Sequence, residues 1–211
     1  MRLHAHPFSP SCRNVLVTAI HLHIALDIKV VDVGVDENHQ PAYLALNPNG
    51  LFPVLEDDGF VLWESNAITQ YLATLEPSTL FPNEPRVRAD IARWQFWEQA
   101  HWTPACRPWM WENLFKAMKG QGQPDRKVLE DATGKLNQLA GILDRHLAGS
   151  PWLVADHLTL ADISVACALM YKQAARIPVE QFDNLNRWYG QVEALPAWRA
   201  TAVTLPSPVR P

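Results

Sequence analysis

The chain has 211 residues, room for one large domain or two modest ones, and 48% of them are apolar, as in a globular protein with a real core. A net charge of −4 argues against nucleic-acid binding, which calls for a basic face, and three cysteines do not make a disulfide framework. The opening MRLHAHPFSPS lacks the apolar stretch of a signal peptide and no run approaches membrane-spanning length, so a soluble, cytoplasmic protein with no membrane partner is expected.

In chain order, Leu3 and Ala5 are the core-facing candidates of a first strand within 1–6. Pro7 to Cys12 is a loop by composition. From Arg13 a helix is predicted, with Val15, Leu16, Ala19, Ile20 and Ile24 on one stripe. Ile28 to Val33 is β-branched and apolar on both faces, which predicts a buried strand. Strand, helix and strand at this spacing form a βαβ unit, hence a parallel pair. A short helix is expected around Pro41 to Leu46.

The stretch Asn47 to Tyr71 reads as a hairpin followed by a helix. Phe52-Pro53-Val54-Leu55 and Phe60-Val61-Leu62-Trp63 flank Glu56-Asp57-Asp58-Gly59, and an Asp-Gly pair between β-prone runs is a strong hairpin signal. Pro53 loses a ladder donor and belongs at a strand start, where a cis bond is the usual way to turn sharply. Glu64-Ser65 opens a helix with Ile68, Tyr71, Leu72 and Leu75 on one face. Free backbone groups beside Pro53 and a helix N-terminus at Ser65 make a pocket suited to an anion. The same residues also fit a hairpin and a capped helix with no ligand.

The first 75 residues therefore read β-α-β-α-β-β-α, the order of the thioredoxin fold. Residues 76–85, with three prolines and no periodicity, read as a linker to an all-helical domain over 86–211. Within it, Leu129, Ala132, Leu136, Leu139, Leu143 and Leu147 form one stripe. Leu160, Ile163, Cys167, Met170, Tyr171 and Ala174 form a second, and Leu185, Trp188, Tyr189, Val192 and Leu195 a third. Thr159 and Asp162 have the spacing of a capping box. Leu205 to Pro211 reads as an extended, proline-rich tail.

These parts together resemble a cytosolic glutathione transferase. Asn47-Pro48-Asn49-Gly50-Leu51-Phe52-Pro53 resembles the family's segment ending in a cis-proline, and Leu62 to Ile68 (LWESNAI) its glutamate-serine motif. Ser9-Pro10-Ser11-Cys12-Arg13 resembles its catalytic loop, and Leu158 to Ile163 the cap of its central helix. The phrases NPNGL, LWESNAI and NL-RWY are similar to the bacterial glutathione-transferase-B-like branch. The resemblance implies a homodimer that binds glutathione as co-substrate, with no metal, in its first domain. The second domain would supply most of the pocket for a small electrophile or peroxide. Phe52, next to Pro53, would pair its backbone with the cysteinyl part, Glu64 and Ser65 would hold the γ-glutamyl end, and His39 would contribute a charge. Leu51 and Gln40 depart from the family's pattern, which implies a weaker hold on the glycyl carboxylate.

A thiol with a pKa of about 8.5 is only roughly 3% ionised at pH 7. A hydroxyl donor and a helix N-terminus together can lower it. Ser9 stands at the family's serine position and is expected to donate to the sulfur, with Ser11 and Cys12 as fallbacks. Cys12 has two readings, a small buried packing residue or the second thiol of a Cys-x-x-Cys-like redox motif.

Residues 94–111 hold five of the nine tryptophans. Pro104 and Pro108 are expected to bend or interrupt the helix there. Phe8, Trp102, Arg107 and Trp111 are the candidate electrophile pocket, with Arg107 suited to an anionic substrate such as a haloacid. Trp94 and Trp97, at helical spacing, read as core or as a dimer face. A non-enzymatic scaffold protein and a thiol-disulfide reductase are the two rival functions.

Overall fold

The computed structural model describes residues 1–205, so most of the expected tail, Pro206 to Pro211, lies outside the described residues. The chain divides into two compact units, one of residues 1–83 with 195–203 and one of residues 84–194 with 204–205.

In the first unit, β1 (Arg2–Ala5), β2 (Asp27–Val30), β3 (Val54–Asp57) and β4 (Phe60–Trp63) form a sheet in the order β2-β1-β3-β4. β1 pairs parallel with β2 and antiparallel with β3, and β3 with β4 antiparallel. The hairpin closes at Asp58 and Gly59, both at positive φ (47° and 85°), as a two-residue turn matched to the strand twist demands. Between β1 and β2 lies α1 (Pro10–His21), between β2 and β3 the short α2 (Pro41–Leu44), and after β4 comes α3 (Ser65–Leu72). This is the thioredoxin-like order read from the sequence, followed by an all-helical unit.

Period-two alternation splits the sheet's side chains between two apolar layers. Leu3, Ala5 and Leu55 pack with Cys12, Val15 and Ala19 of α1 and Ile68 and Leu72 of α3. On the other face Val54 packs with Val31 and Tyr43. Phe52 packs against both layers.

Two expectations need correction. β2 is exposed along its whole length, because it takes the sheet edge, and Ile28 and Val30 are 42% and 59% accessible. The first buried residue is Val31, just past the strand. Helix α1 begins at Pro10, not Arg13: Ser9 is its N-cap and Pro10 fits the first turn, where no N–H is needed. The opposite face of α1 is buried too. Arg13, 6% accessible, donates to the Trp198 carbonyl (2.9 Å) and to Thr201 Oγ1 (3.2 Å), and its guanidinium lies 4.0 Å from the Trp198 ring centroid. Those partners belong to Leu195–Val203, which carries α10 (Pro196–Ala200) back onto α1.

The second unit begins with α4 (Pro85–Trp97), α5 (Thr103–Met110) and α6 (Lys116–Met118), joined by π turns at Glu98–Trp102 and Trp111–Phe115. Pro104 and Pro108 therefore leave one helical run uninterrupted, and the irregularity their missing donors impose is taken up in the flanking π turns. The run is followed by α7 (Arg126–Leu147), α8 (Leu160–Cys167) and α9 (Asp183–Glu193). The predicted stripe on α7 is buried from Leu136 to Leu147. Helix α8 ends at Cys167, short of the expected Ala174, and every one of its residues is buried, so it is the unit's central element.

Asp162 fixes that element. Its fully buried carboxylate accepts from the Thr159 N–H (2.9 Å), Thr159 Oγ1 (3.1 Å), the Leu153 N–H (2.9 Å) and Trp188 Nε1 (2.8 Å). Burial pushes the carboxyl up from its usual range and the four hydrogen bonds oppose it. Asp162→Ala leaves these donors without an acceptor and is expected to cost about 3–5 kcal/mol, with Asp162→Asn losing about half as much. Urea unfolding followed by circular dichroism measures both.

Candidate active site

The first candidate group lies at the N-termini of α1 and α3. Ser9 takes an extended backbone (φ −87°, ψ 122°) and its Oγ accepts the Cys12 N–H at 3.2 Å. A hydroxyl that caps a helix as acceptor still has its own proton to donate. Ser11 is half-buried in the first turn. Asn14, buried on α1, donates to Asn66 Oδ1 on α3 at 2.9 Å, which ties the starts of the two helices together.

At the start of α3, Glu64 holds φ 73° and ψ 112°, a conformation costing a non-glycine residue on the order of 1–3 kcal/mol. Its carbonyl accepts the Ile68 N–H, and the next residue, Ser65, is buried at 3% accessibility. The strained backbone leaves the Glu64 side chain exposed directly before a helix N-terminus. A carboxylate suited to an ammonium and a helix N-terminus suited to a carboxylate thus stand side by side.

The third part is the loop ahead of β3. The Phe52–Pro53 bond is cis, as the sequence reading expected. The Leu51 carbonyl accepts from Tyr43 Oη (2.9 Å) and Asn47 Nδ2 (2.7 Å), and the Gly50 carbonyl from Asn38 Nδ2 (2.7 Å). Gly50 has φ 63°, and a Cβ there would stand 2.8 Å from the His39 ring, so the loop needs glycine. His39 borders this loop, pairs with Asp36 at 2.6 Å and is largely exposed. Leu51 is 61% accessible. Asn38, Tyr43 and Asn47, which hold the loop, were not singled out by sequence. Their signal was only that polar side chains flank the turn Pro48-Asn49-Gly50.

Cys12 is a packing residue of the layer under α1, 1% accessible, and receives the His6 N–H on its sulfur at 3.3 Å. Burial pushes its thiol up to about 11, although hydrogen bonds from Ser9 and His6 pull the other way. Cys106 is pushed up as well, by complete burial.

The electrophile-pocket candidates separate. Trp102 has no accessible surface, donates Nε1–H to the Val165 carbonyl (3.2 Å) and stacks on Trp97 at 5.9 Å, so it is a core residue of the second unit. Trp94 is buried likewise. Arg107 is exposed and has no ion-pair partner among the described residues. Trp111 is 38% accessible, with Lys119 Nζ 5.6 Å from its ring centroid. Phe8 belongs to the first unit, where its ring lies 5.6 Å from that of His6. Among the described residues no cluster of three or more potential metal ligands exists.

The models for the glutathione S-transferase N-terminal and C-terminal domains match residues 3–82 and 94–196. A glutathione S-transferase of Silene vulgaris is 31% identical over 209 residues, covering 95% of this chain and 96% of its own. The chain belongs to the glutathione S-transferase family. A delta-class glutathione transferase of Nilaparvata lugens superposes with a TM-score of 0.82 at 29% identity, over 95% of this chain and 92% of that one. Elongation factor 1-gamma of Sus scrofa is 34% identical over 167 residues, 77% of this chain but 37% of that protein. Family membership makes the protein a transferase-type enzyme.

For Cys12, a thiol titrating near 11 is ionised in roughly one molecule in ten thousand at pH 7. The folded protein is expected to show no fast-reacting thiol toward iodoacetamide at pH 7. The slow rate should climb about ten-fold per pH unit up to pH 10. Mass spectrometry of Cys12 follows this directly, and alkylation within minutes at pH 7 would return it to the candidate nucleophiles.

Proposed function

We propose that the protein conjugates glutathione to a small organic electrophile, with the Ser9 hydroxyl donating to the glutathione sulfur. What supports this reading is the state of Ser9. Its oxygen accepts the Cys12 N–H, and its own proton is engaged by the Cys12 thiol beside it, which is buried, protonated and so a weak acceptor. A thiolate in its place receives the hydroxyl hydrogen bond and the field of the α1 N-terminus. Lowering a thiol pKa by about two units corresponds to about 2.7 kcal/mol in favour of the thiolate. The reacting sulfur lone pair then forms the new carbon–sulfur bond, the leaving group departs with its own pair, and the thiol proton has already gone to solvent.

In this reading the Phe52 backbone beside Pro53 pairs with the cysteinyl part of glutathione. Glu64 and Ser65 take the γ-glutamyl amino and carboxylate groups, and His39 faces the glycyl end. Its pairing with Asp36 and the apolar Leu51 leave that end weakly held. Half-buried Phe8 and exposed Arg107 and Trp111 are the remaining candidates for contact with the electrophile, and one with a carboxylate, such as a haloacid, suits Arg107, which has no ion-pair partner among the described residues. Peroxide reduction by the same thiolate is the companion activity. A domain division near 75–86, cytoplasmic location, a homodimer and membership of the bacterial glutathione-transferase-B-like branch complete the proposal. The branch is supported by the phrases NPNGL and LWESNAI.

A second reading, a binding or scaffold protein without turnover, is favoured by the likeness to elongation factor 1-gamma. Calorimetric titration of glutathione, with thiolate absorbance followed against pH, separates the two. The transferase reading expects binding with a lowered thiol pKa that returns toward about 8.5 in Ser9→Ala, together with a rate loss of about ten-fold or more. No binding at millimolar glutathione favours the scaffold. For Arg107→Ala, turnover of carboxylate-bearing electrophiles should fall several-fold against neutral ones, and an equal effect on both removes the anionic-substrate assignment.

A further inference from the structure

His6, the residue between β1 and the Ser9 loop, collects contacts from both the Ser9 loop and the residue before Pro53. Its backbone N–H donates to Cys12 Sγ (3.3 Å) and its carbonyl accepts the Ser9 N–H (3.1 Å). Its imidazole Nδ1 faces the Phe8 N–H at 3.3 Å. The ring stacks on Phe52, with centroids 5.2 Å apart and planes 25° from parallel. One side chain thus touches both the loop carrying Ser9 and the residue preceding Pro53. An imidazole nitrogen that accepts a backbone N–H has no proton of its own, so the ring is neutral with its hydrogen on Nε2.

We propose that His6 is a positioning residue for glutathione activation: its neutral imidazole, accepting from Phe8 and stacked on Phe52, sets the Ser9 hydroxyl and the Phe52 backbone at the separation one sulfur requires. The proposal rests on the Ser9 reading above. The pairing of β1 with β3 brings the two loops together, and beyond the strand ends His6 bridges them through its own side chain; a hydroxyl misplaced there by a fraction of an ångström loses much of its effect on a thiolate. Packing alone does not explain the choice of residue, because an apolar ring would stack on Phe52 equally well and leave the Phe8 N–H without this acceptor.

The arrangement has a pH signature. Protonation puts a hydrogen on Nδ1 and sets it against the Phe8 N–H, so the loop contact is lost. Burial lowers the pKa of His6 from 6.5, with Asp32 opposing, so the neutral form persists below pH 6.5 and the loss begins on the acid side of that value. The titratable groups facing His6 are Asp32, from the segment after β2, and the protonated Cys12 thiol of α1. Wild-type kcat should therefore fall with two protons on its acid limb, one from the glutathione thiol and one from His6.

The test compares His6→Phe, which keeps the stacked ring, with His6→Asn, whose Oδ1 replaces the Nδ1 acceptor, and with Ser9→Ala. Thermal melting establishes that each is folded. His6→Phe is expected to bind glutathione with its thiol pKa raised and kcat lowered roughly ten-fold, the size of one lost hydrogen bond, with little change in KM. His6→Asn should recover the wild-type thiol pKa and show a one-proton acid limb. A folded His6→Phe with wild-type thiol pKa and rate overturns the proposal. Should His6→Phe fail to fold, His6→Asn decides, since an unaltered two-proton limb in it is equally fatal. If Ser9→Ala raises the thiol pKa while the His6 variants are silent, only the role of His6 fails. If Ser9→Ala is silent too, the Ser9 reading falls and takes this proposal with it.

Discussion

The first unit depends on the way one carbonyl is held. The Leu51 oxygen receives hydrogen bonds from Tyr43 Oη and Asn47 Nδ2, while Asn47 Oδ1 accepts the Asn49 N–H (3.1 Å). A carbonyl with two donors cannot rotate without stranding both, so the chain enters Phe52 in a single direction. Phe52 then wedges between the two apolar layers of the sheet, and the cis bond to Pro53 starts β3 in the register that pairs Leu55 with Leu3. The exposed part of this loop includes the Leu51 side chain. Its rigidity comes from polar groups behind it, on α2 and the turn, which touch nothing outside the protein.

The second unit solves a similar problem with a charge. Helix α8 is buried on all sides and would pack at many rotations about its axis if apolar burial were the only constraint. Asp162 removes that freedom. Its carboxylate accepts four hydrogen bonds, one from the Trp188 indole of α9, one from the backbone at Leu153 and two from Thr159. A directional buried acceptor of this kind selects one arrangement out of many with similar apolar burial.

Legibility in the sequence follows how local each signal is. The Asp58-Gly59 turn, Pro53 and the Thr159–Asp162 box depend on a few neighbouring residues, and each stands where its residue types require. The run from Ile28 failed because exposure is decided by how many strands flank it, which composition does not encode. Ser9-Pro10 was read as loop, although the same pair is a helix N-cap and first residue once the backbone turns. Trp102 was assigned to a pocket because aromatic residues serve pockets and cores alike, and only the Val165 carbonyl beneath its indole distinguishes them. The glutamate-serine helix start and the cis-proline turn could be read from sequence, because each rests on consecutive residues. His6, whose partners are Phe8 and Phe52, could not, since a single histidine after a short strand carries no period or motif.

The return of Leu195–Val203 to α1 has a consequence for how the chain comes off the ribosome. Arg13 finds its oxygen partners 185 and 188 residues downstream, at Trp198 and Thr201. Until those residues emerge, the guanidinium lacks these two oxygen acceptors, and the outer face of α1 lacks Trp198. At roughly 5–20 residues per second, the wait through the whole helical unit is on the order of ten seconds. The nascent first unit is therefore an unfinished object for that time, and the protein's end, rather than its beginning, completes the fold of the half that synthesis delivers first.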